Sequence, residues 1–388
     1  MAYNTITKYS TEDDTTMTPN QQLKYYSLQE TDFKIHGRTD MSQSPLPLFW
    51  NGSAVEVNVT GSELWIDLEV DYEIFEPWIG YAINNAIVNR QMLTAGRFQL
   101  CLFRGMNPDT VKNVRFFREL QAMGEDNDSQ LLIHGFSSDG SFRPVAEAKY
   151  KLEFIGDSIT SGEGTYGALE ELDWIPMFMS SSRNYAVITA EALNADYHLI
   201  SQGGWGVLNG WDNNPHNNIP SCYEQICGLL NGSRNEKLGA FKPWDFASWQ
   251  PDAIIINLGT NDASSFHQPE WTDPVSGETF KQHLEADGSF RPSDIERFRQ
   301  AVKNFITTVR KNNPASHIIW VYGMLGYDLT LPITRAINEY QSLTGDMRIS
   351  FLQLPNTTLE TVGSRSHPGI KSHKRAAKVL IEYLKTIL

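Results

Sequence analysis

A serine stands at a glycine-flanked corner in the segment KLEFIGDSITSGEG, residues 151–164. An apolar run ends at Ile155, and Gly156, Asp157 and Ser158 follow it directly. A corner at the end of a strand projects a hydroxyl out of the sheet, and small neighbours let a reactant approach it. Two interpretations compete: Ser158 is a nucleophile, or Asp157 and Ser158 only cap a strand-to-helix turn.

Three further corners carry the groups that would complete a serine hydrolase. The glycine-rich run at 202–206 offers backbone amides, GTND offers the amide of Asn261, and SHPG offers His367. Histidine is the usual base for a serine because it titrates near neutral pH. Glycine N–H groups and an asparagine amide donate hydrogen bonds to the oxyanion of a tetrahedral intermediate. Together the four corners favour Ser158 as a nucleophile in acyl transfer.

These corners must lie at one edge of a sheet, and the chain after residue 150 predicts such a sheet. Apolar segments alternate with helical ones, which indicates a parallel α/β sheet covered on both faces. Ligands of such sheets bind beyond the carboxyl ends of the strands. The strands are predicted at 151–155, 196–201, 253–258, 317–322 and 348–354. The clearest helix, SDIERFRQAVKNFITTVRKNNP, is predicted to begin with a capping box of Ser293 and Glu296.

The chain before residue 148 consists of short alternating segments. SAVEVNVTGSELWIDLEV is predicted to form a hairpin around Thr60 and Gly61, and another turn is predicted at Asn84 and Asn85. Several short strands with regular turn signals and no helical period indicate an all-β sandwich of jelly-roll type.

Two domains are therefore predicted, which fits a length of 388 residues because single cores seldom grow beyond about 250–300 residues. The β-sandwich, a carbohydrate-binding-like domain, is assigned to residues 1–147 and the α/β domain to 148–388. The polar residues 1–30 are expected to form an arm or a loose first element. Whether the β-domain binds sugar, walls the active site or contacts another subunit of a homo-oligomer is left open.

Composition excludes several classes of function. Lys and Arg number 32 against 46 Asp and Glu, so the net charge is −14 and no nucleic-acid partner is expected. No apolar run approaches the roughly 18 residues of a membrane span, and MAYNTITKYSTEDDTT shows no secretory signal, so a cytoplasmic protein without a membrane partner is predicted. Three cysteines make no disulfide framework, and the scattered histidines have no ligand spacing, so no metal is expected.

The four corners also resemble a known family. GDSITSG, the glycine after the second strand, GTND and the terminal His-Pro resemble the four sequence blocks of the SGNH, or GDSL, hydrolases. With the β-domain and NYAVITAEAL added, residues 35–388 resemble the second carbohydrate esterase family. Those proteins are deacetylases of xylan and related glycans, with a jelly-roll domain ahead of a three-layer α/β/α domain. The resemblance implies an acetylxylan esterase that acts in xylan degradation on acetylated oligosaccharides or polysaccharides and needs no cofactor.

The resemblance also assigns the chemistry to particular residues. Ser158 would be the nucleophile, and His367 would be the general base and acid. Ser364 departs from the family pattern, since an aspartate usually stands three residues before the histidine to fix its tautomer and stabilise its charged form. Some members of the family lack that aspartate and hold the histidine with a backbone carbonyl. A Ser–His dyad is therefore predicted here, and Ser364→Ala is expected to cost little activity.

The remaining candidates would surround the ester. The backbone N–H groups of Ser158 and Gly204 and the amide of Asn261 would form the oxyanion hole, with Gly203 as the alternative to Gly204. Aromatic faces stack well on the C–H faces of sugars. The aromatic candidates lie on loops beside the proposed site: Trp205, Tyr166 and Trp211.

Other polar residues near the corners are given structural roles. Asp157 is interpreted as a helix-start or hydrogen-bonding group, Asp262 as a residue that fixes its loop, and His373 as a surface or capping histidine. Two alternative functions remain. An SGNH lipid esterase or thioesterase would need a long apolar groove, which the Asn- and Trp-rich loops do not suggest. A non-catalytic glycan-binding protein with a decayed hydrolase domain would explain Ser364.

Overall fold

The computed structural model describes residues 23–388. The expectations for a secretory signal and for most of the N-terminal arm concern residues 1–22 and lie outside this range. The chain divides into two compact units. The first extends to Glu147 and includes Leu229–Lys242, and the second consists of Ala148–Gly228 and Pro243–Leu388.

The first unit is a sandwich of two antiparallel sheets, as predicted. One sheet has the strand order β1-β10-β5-β8 with β3 on β10, and the other has the order β11-β4-β9-β6-β7 with β2 on β4. Alternate apolar residues of both sheets form one core. The strands are β1 Lys24–Ser27, β2 Phe33–His36, β3 Leu46–Pro47, β4 Ala54–Val59, β5 Glu63–Asp71, β6 Trp78–Ile83, β7 Ala86–Met92, β8 Gly96–Arg104, β9 Lys112–Arg118, β10 Gln130–Ser138 and β11 Phe142–Arg143.

Of the two turns predicted in this unit, one is confirmed and one is wrong. Asn84 and Asn85 have φ values of 49° and 67° and join the antiparallel strands β6 and β7, which is the left-handed pair that a two-residue hairpin turn needs. Around Thr60 and Gly61 the expected hairpin does not form, because β4 pairs with β2, β9 and β11 while β5 pairs with β8 and β10. The break takes the chain from one sheet to the other. Alternation shows that a strand has a buried face, not which strand it pairs with.

The segment Leu229–Lys242 lies inside the predicted α/β domain in sequence but belongs to the first unit. Polar contacts hold it there: the Asn231 amide donates to the Gly124 carbonyl at 2.8 Å, and Lys242 pairs with Asp40 at 2.6 Å. Polar contacts of this kind produce no hydrophobic periodicity, so the sequence pattern could not show that this segment belongs to the first unit.

The second unit contains the predicted parallel sheet, with the strand order β13-β12-β14-β17-β18. The carboxyl ends of β13, β12 and β14 are therefore neighbours, and the corners after them meet. The strands are β12 Tyr150–Gly156, β13 Ala195–Ser201, β14 Ala253–Asn257, the small pair β15 Trp271–Thr272 and β16 Thr279–Phe280, β17 His317–Gly323 and β18 Ile349–Leu354. The helices are α1 Ser158–Ser161, α2 Tyr185–Ala192, α3 Ser233–Lys237 (in the first unit), α4 Thr260–Ser265, α5 Pro292–Asn312, α6 Thr330–Thr344 and α7 Ile370–Leu384.

The start of α5 differs from its prediction. Pro292 is the first helical residue and Arg291 precedes it without a side-chain cap, so the capping box of Ser293 and Glu296 does not form. Proline suits this position because its fixed φ matches the helix and its missing N–H is not needed. The helix buries one apolar face, with buried side chains at Phe298, Val302, Phe305 and Val309. Within residues 23–388, no helix is long and apolar enough to cross a membrane.

Candidate active site

Ser158 is the first residue of the short helix α1, directly after β12. Asp157 caps this helix, since its Oδ1 accepts a hydrogen bond from the Ile159 N–H at 2.9 Å. Gly156 is required at the corner because a Cβ there would lie 2.1 Å from the hydroxyl of Thr160. The structure thus confirms Asp157 as a helix-start group. The cap and the serine hydroxyl that contacts the histidine occupy the same corner, so the two interpretations of this segment do not exclude each other.

The side chain of His367 lies between the Ser158 hydroxyl and a backbone carbonyl. Its Nε2 is 2.9 Å from Ser158 Oγ, and its Nδ1 is 2.9 Å from the carbonyl oxygen of Arg365. A carbonyl oxygen only accepts hydrogen bonds, so Nδ1 carries the proton and Nε2 is left to accept from the serine. This is the tautomer that a general base needs.

A left-handed turn before His367 produces this arrangement. Arg365 and Ser366 have φ values of 51° and 58°, and the N–H of His367 donates to the Ser364 carbonyl at 2.9 Å. The turn directs the carbonyl of Arg365 back towards the imidazole two residues later. Ser364 itself packs against Gly167, where a Cβ would lie 2.2 Å from the Ser364 Cβ. The partner of Nδ1 is therefore Arg365, as a dyad requires, and not residue 364.

Two charged residues beside the Ser–His pair were missed by sequence reasoning. Glu163 Oε1 lies 3.7 Å from His367 Nε2 and 2.8 Å from a guanidinium nitrogen of Arg365. Glu163 follows α1 in the same segment as Ser158, so its position near the serine was visible. Its pairing with Arg365, 202 residues away, was not, because nothing in a single sequence indicates a contact of that range.

The oxyanion candidates come from three neighbouring strands. Asn261 lies in the first turn of α4, after β14, and its Nδ2 donates to the Trp205 carbonyl at 2.9 Å and contacts Asp157 Oδ2 at 3.3 Å. Gly204 follows β13 with φ of 80°, and its N–H donates to no residue of the described chain. The contacts of Asn261 thus join the corner of Ser158 to the loop that contains Gly204.

Asp262 holds the loop beside the oxyanion candidates, as predicted. Its buried carboxylate accepts hydrogen bonds from the N–H groups of Val207 at 3.0 Å, Leu208 at 2.8 Å and Asn209 at 3.4 Å. Burial raises the pKa of Asp262 to about 6, and these three N–H donors oppose the rise. The loop after Gly204 is therefore fixed to the start of α4.

Of the surface and capping roles suggested for His373, the surface role is wrong, whereas its ring does accept the N–H of the first residue of α2. It is 0% exposed, its Nδ1 accepts from the Tyr185 N–H at 3.1 Å, and its ring stacks on that of Tyr185. Burial lowers its pKa to about 3, so it stays neutral and takes no part in charge relay. The helical spacing of the sequence did indicate that His373 is buried, because it shares one face of α7 with Ala376, Ala377 and Leu380.

The three aromatic candidates occupy different positions. Trp211 is 48% exposed, its N–H donates to the Gly204 carbonyl at 2.9 Å, and its ring would lie 3.1 Å from a Cβ on Gly204. Tyr166 is 42% exposed. Trp205 is less exposed, and its carbonyl orients Asn261. Trp211 is therefore the more exposed of the two indoles beside an oxyanion candidate.

Asp157 gives the site a pH-dependent stability. Burial is the main cause that raises the pKa of Asp157 to about 7, and the charges of Asp262 and Glu163 also raise it. The hydrogen bond from the Ile159 N–H acts in the opposite direction and lowers this pKa. Because the folded-state pKa lies above the unfolded value, the stabilisation is complete below about pH 4 and is lost as the pH rises through about 7. We expect this group to lower the free energy of unfolding by up to about 4 kcal/mol across that interval.

Urea unfolding of the wild type and Asp157→Asn at several pH values from 4 to 8 tests this expectation. Asparagine keeps an oxygen for the Ile159 N–H but does not titrate, so its unfolding free energy should depend less on pH. Asp262 is present in both proteins, so the part of its pH dependence that does not depend on the Asp157 charge is common to the two curves. Parallel pH dependences in the two proteins would show that Asp157 is ionised throughout.

Comparison with known proteins connects this geometry to a family. Residues 154–348 match the model of the GDSL-like Lipase/Acylhydrolase family. The structure of an acetyl xylan esterase from the rumen bacterium Butyrivibrio proteoclasticus is 55% identical, covers 94% of this chain and 99% of that one, and superposes with a TM-score of 0.92. That of a family two carbohydrate esterase from Clostridium thermocellum, in complex with cellohexaose, is 26% identical with coverage of 91% and 98% and a TM-score of 0.75.

A curated relative is similar over the same region. The cellulase/esterase CelE of Acetivibrio thermocellus is 28% identical over 370 residues, which is 91% of this chain. The chain spans only 39% of the length of that relative.

Proposed function

Because the chain belongs to the GDSL-like lipase/acylhydrolase family, we propose that it is a serine esterase that removes O-acetyl groups from acetylated xylo-oligosaccharides or related sugars. The observation that carries the proposal is the 2.9 Å contact between Ser158 Oγ and His367 Nε2. The 55% identical acetyl xylan esterase supports the acetyl group and the class of sugar. No cofactor is part of the proposal.

The proposed reaction passes through an acetyl-serine. Ser158 Oγ attacks the ester carbonyl while Nε2 of His367 takes its proton. The N–H groups of Ser158 and Gly204 and the Nδ2 of Asn261 stabilise the oxyanion. His367 then donates the proton to the departing sugar hydroxyl as the C–O bond breaks. A water molecule gives a proton to His367 and attacks the acetyl-serine, and the resulting tetrahedral intermediate releases acetate as the bond to Oγ breaks and His367 returns the proton to Ser158 Oγ.

The carbonyl of Arg365 replaces part of what a triad aspartate does. Its 2.9 Å contact with Nδ1 of His367 fixes the tautomer and the ring orientation. A carbonyl dipole carries no net charge, so it stabilises an imidazolium less than a carboxylate does. The proposed dyad therefore has its geometry set by one peptide group.

Acetate release from acetylated xylo-oligosaccharides, compared with hydrolysis of octanoyl esters, tests the proposed substrate class. Turnover of the acetylated sugar with little turnover of the octanoyl ester supports a carbohydrate deacetylase. The reverse preference would identify a lipid esterase or thioesterase. Inactivity towards every ester would favour the glycan-binding alternative.

Trp211 is proposed as a stacking surface for the sugar, and its replacement by alanine tests this. We expect Trp211→Ala to raise KM for acetylated xylo-oligosaccharides about tenfold, because the loss of an aromatic stacking contact costs about 1 kcal/mol or slightly more. An aryl acetate has no sugar to stack and should be hydrolysed with nearly unchanged KM. Equal losses on both substrates would mean that Trp211 only supports the loop of Gly204.

The location of the protein and the length of its natural substrate are also part of the proposal. A cytoplasmic esterase would act on imported oligosaccharides rather than on polymeric xylan. Fractionation of the source cells, together with acetate release measured against oligosaccharide length, tests both statements. Efficient release only from long polymer would contradict them, as would finding the protein outside cells.

A further inference from the structure

A carboxylate and a guanidinium flank the Ser–His pair, and the mechanism proposed above uses neither. Glu163 Oε1 lies 3.7 Å from His367 Nε2, and the same oxygen lies 2.8 Å from Nη1 of Arg365. The side chain of Glu163 is only 9% exposed, so water screens its charge weakly. At 3.7 Å the carboxylate is too far for a hydrogen bond, and Nε2 remains directed at the Ser158 hydroxyl.

Arg365 contacts the catalytic histidine and its charged neighbour with two different groups. Its carbonyl oxygen accepts from Nδ1 of His367, and its guanidinium pairs with Glu163. Its backbone has φ of 51° and ψ of 34°, a left-handed conformation that is unfavourable for a residue with a side chain. Such conformations persist where the surroundings hold them in place, and they concentrate at functional sites. The turn thus sets the orientation and the electrostatic surroundings of His367 together.

We propose that Glu163 is a positioning residue that supplies the negative charge missing at Ser364, and that Arg365 moderates this charge. The proposal rests on the proposed esterase function. When Ser158 attacks, His367 becomes positively charged, and a carboxylate 3.7 Å from Nε2 lowers the energy of that state. A triad aspartate would act at Nδ1, but here that atom already has the Arg365 carbonyl as its partner. The charge therefore acts from the opposite side of the ring.

Other charged groups close to the pair must be separated from this effect. Asp157 precedes the nucleophile, and burial together with the charges of Asp262 and Glu163 raises its pKa to about 7. His373 on α7 is neutral, since burial and the charge of His367 lower its pKa to about 3. Because Asp157 titrates in the range of a histidine, an activity profile alone would not distinguish the two. The imidazole itself must be followed.

Two substitutions, which remove a negative and a positive charge respectively, test the proposal on the full chain. Glu163→Gln keeps the shape of the side chain and removes the negative charge near the ring while the Arg365 cation stays, so the titration midpoint of the His367 imidazole should fall by about one pH unit. The plateau of kcat should fall about tenfold with little change in KM. Arg365→Met keeps the backbone carbonyl but removes the cation, so the midpoint should rise. Glu170→Gln, at an exposed glutamate of the same loop, is the matched control and should change neither quantity.

The imidazole is followed by ¹⁵N NMR of the histidine rings, assigned with His367→Asn, and kcat/KM is measured against pH in parallel. Opposite shifts in the two variants support the proposal, since a merely structural role predicts no such reversal. Shifts of the same sign, or none in either variant, would overturn it. The NMR titration needs no substrate, so an enzyme inactive on acetate esters would contradict the proposed function without affecting the measurement of the Glu163 charge.

Discussion

Replacement of Ser158 by alanine is expected to lower kcat for acetate release by about 10⁴- to 10⁶-fold. The alanine removes the only group that forms the acyl intermediate, while the oxyanion donors remain and retain a small residual rate. His367→Ala should cause a loss of similar size, because the two side chains act as one unit through their 2.9 Å contact. The double variant should be scarcely worse than either single one. Acetate release from acetylated xylo-oligosaccharides and from an aryl acetate measures all three proteins.

Ser364→Ala is the matched control for this experiment. It removes a serine hydroxyl from the same turn but leaves the Arg365 carbonyl that contacts His367 Nδ1, so its activity should stay within about tenfold of the wild type. A thousandfold loss would show that the Ser364 side chain orients the histidine. Activity of Ser158→Ala within tenfold of the wild type would instead place the nucleophile elsewhere.

The position of the dyad could be predicted from the sequence because the topology of a parallel sheet largely determines which loops lie close together. The carboxyl ends of parallel strands lie at one edge of the sheet, so the residues that directly follow each strand meet at that edge. The residue types there suggest the roles directly: a serine as nucleophile at 158, an asparagine as hydrogen-bond donor at 261 and a histidine as base at 367. No knowledge of side-chain contacts was needed to place them together.

The parts that could not be predicted depend on contacts rather than on periodicity. The pairing of Glu163 with Arg365 and the exchange of Leu229–Lys242 into the first unit are polar and long-range. The error at His373 has a different cause, since its helical register with Ala377 was visible and histidine was assumed to be polar enough to stay outside. A neutral imidazole is buried at far lower cost than a charged one, and the Nδ1 of His373 also accepts a backbone hydrogen bond.

Asn261→Ala is expected to lower kcat by about 10²- to 10³-fold, which corresponds to about 2.7–4 kcal/mol of oxyanion stabilisation. The loss should appear in kcat rather than KM, because the donor acts on negative charge that exists only after Ser158 attacks. The two hydrogens of Asn261 Nδ2 donate to the Trp205 carbonyl and, at the longer distance of 3.3 Å, to Asp157 Oδ2, so the second bond must be shared with the oxyanion or released to it when the charge forms. The expected size of the effect is that of removing one side-chain donor from an oxyanion hole that keeps its backbone N–H groups.

The neighbouring variant Ser264→Ala provides the control for Asn261→Ala. Ser264 lies on the same helix and donates to the Thr260 carbonyl at 3.0 Å, so its loss perturbs α4 without touching the oxyanion candidates. If both variants lost activity and melting temperature together, Asn261 would act through the stability of α4. A loss of kcat in Asn261→Ala alone, with an unchanged melting temperature, would leave direct stabilisation of the oxyanion as the explanation. An unchanged kcat would instead assign the oxyanion to the backbone N–H groups of Ser158 and Gly204.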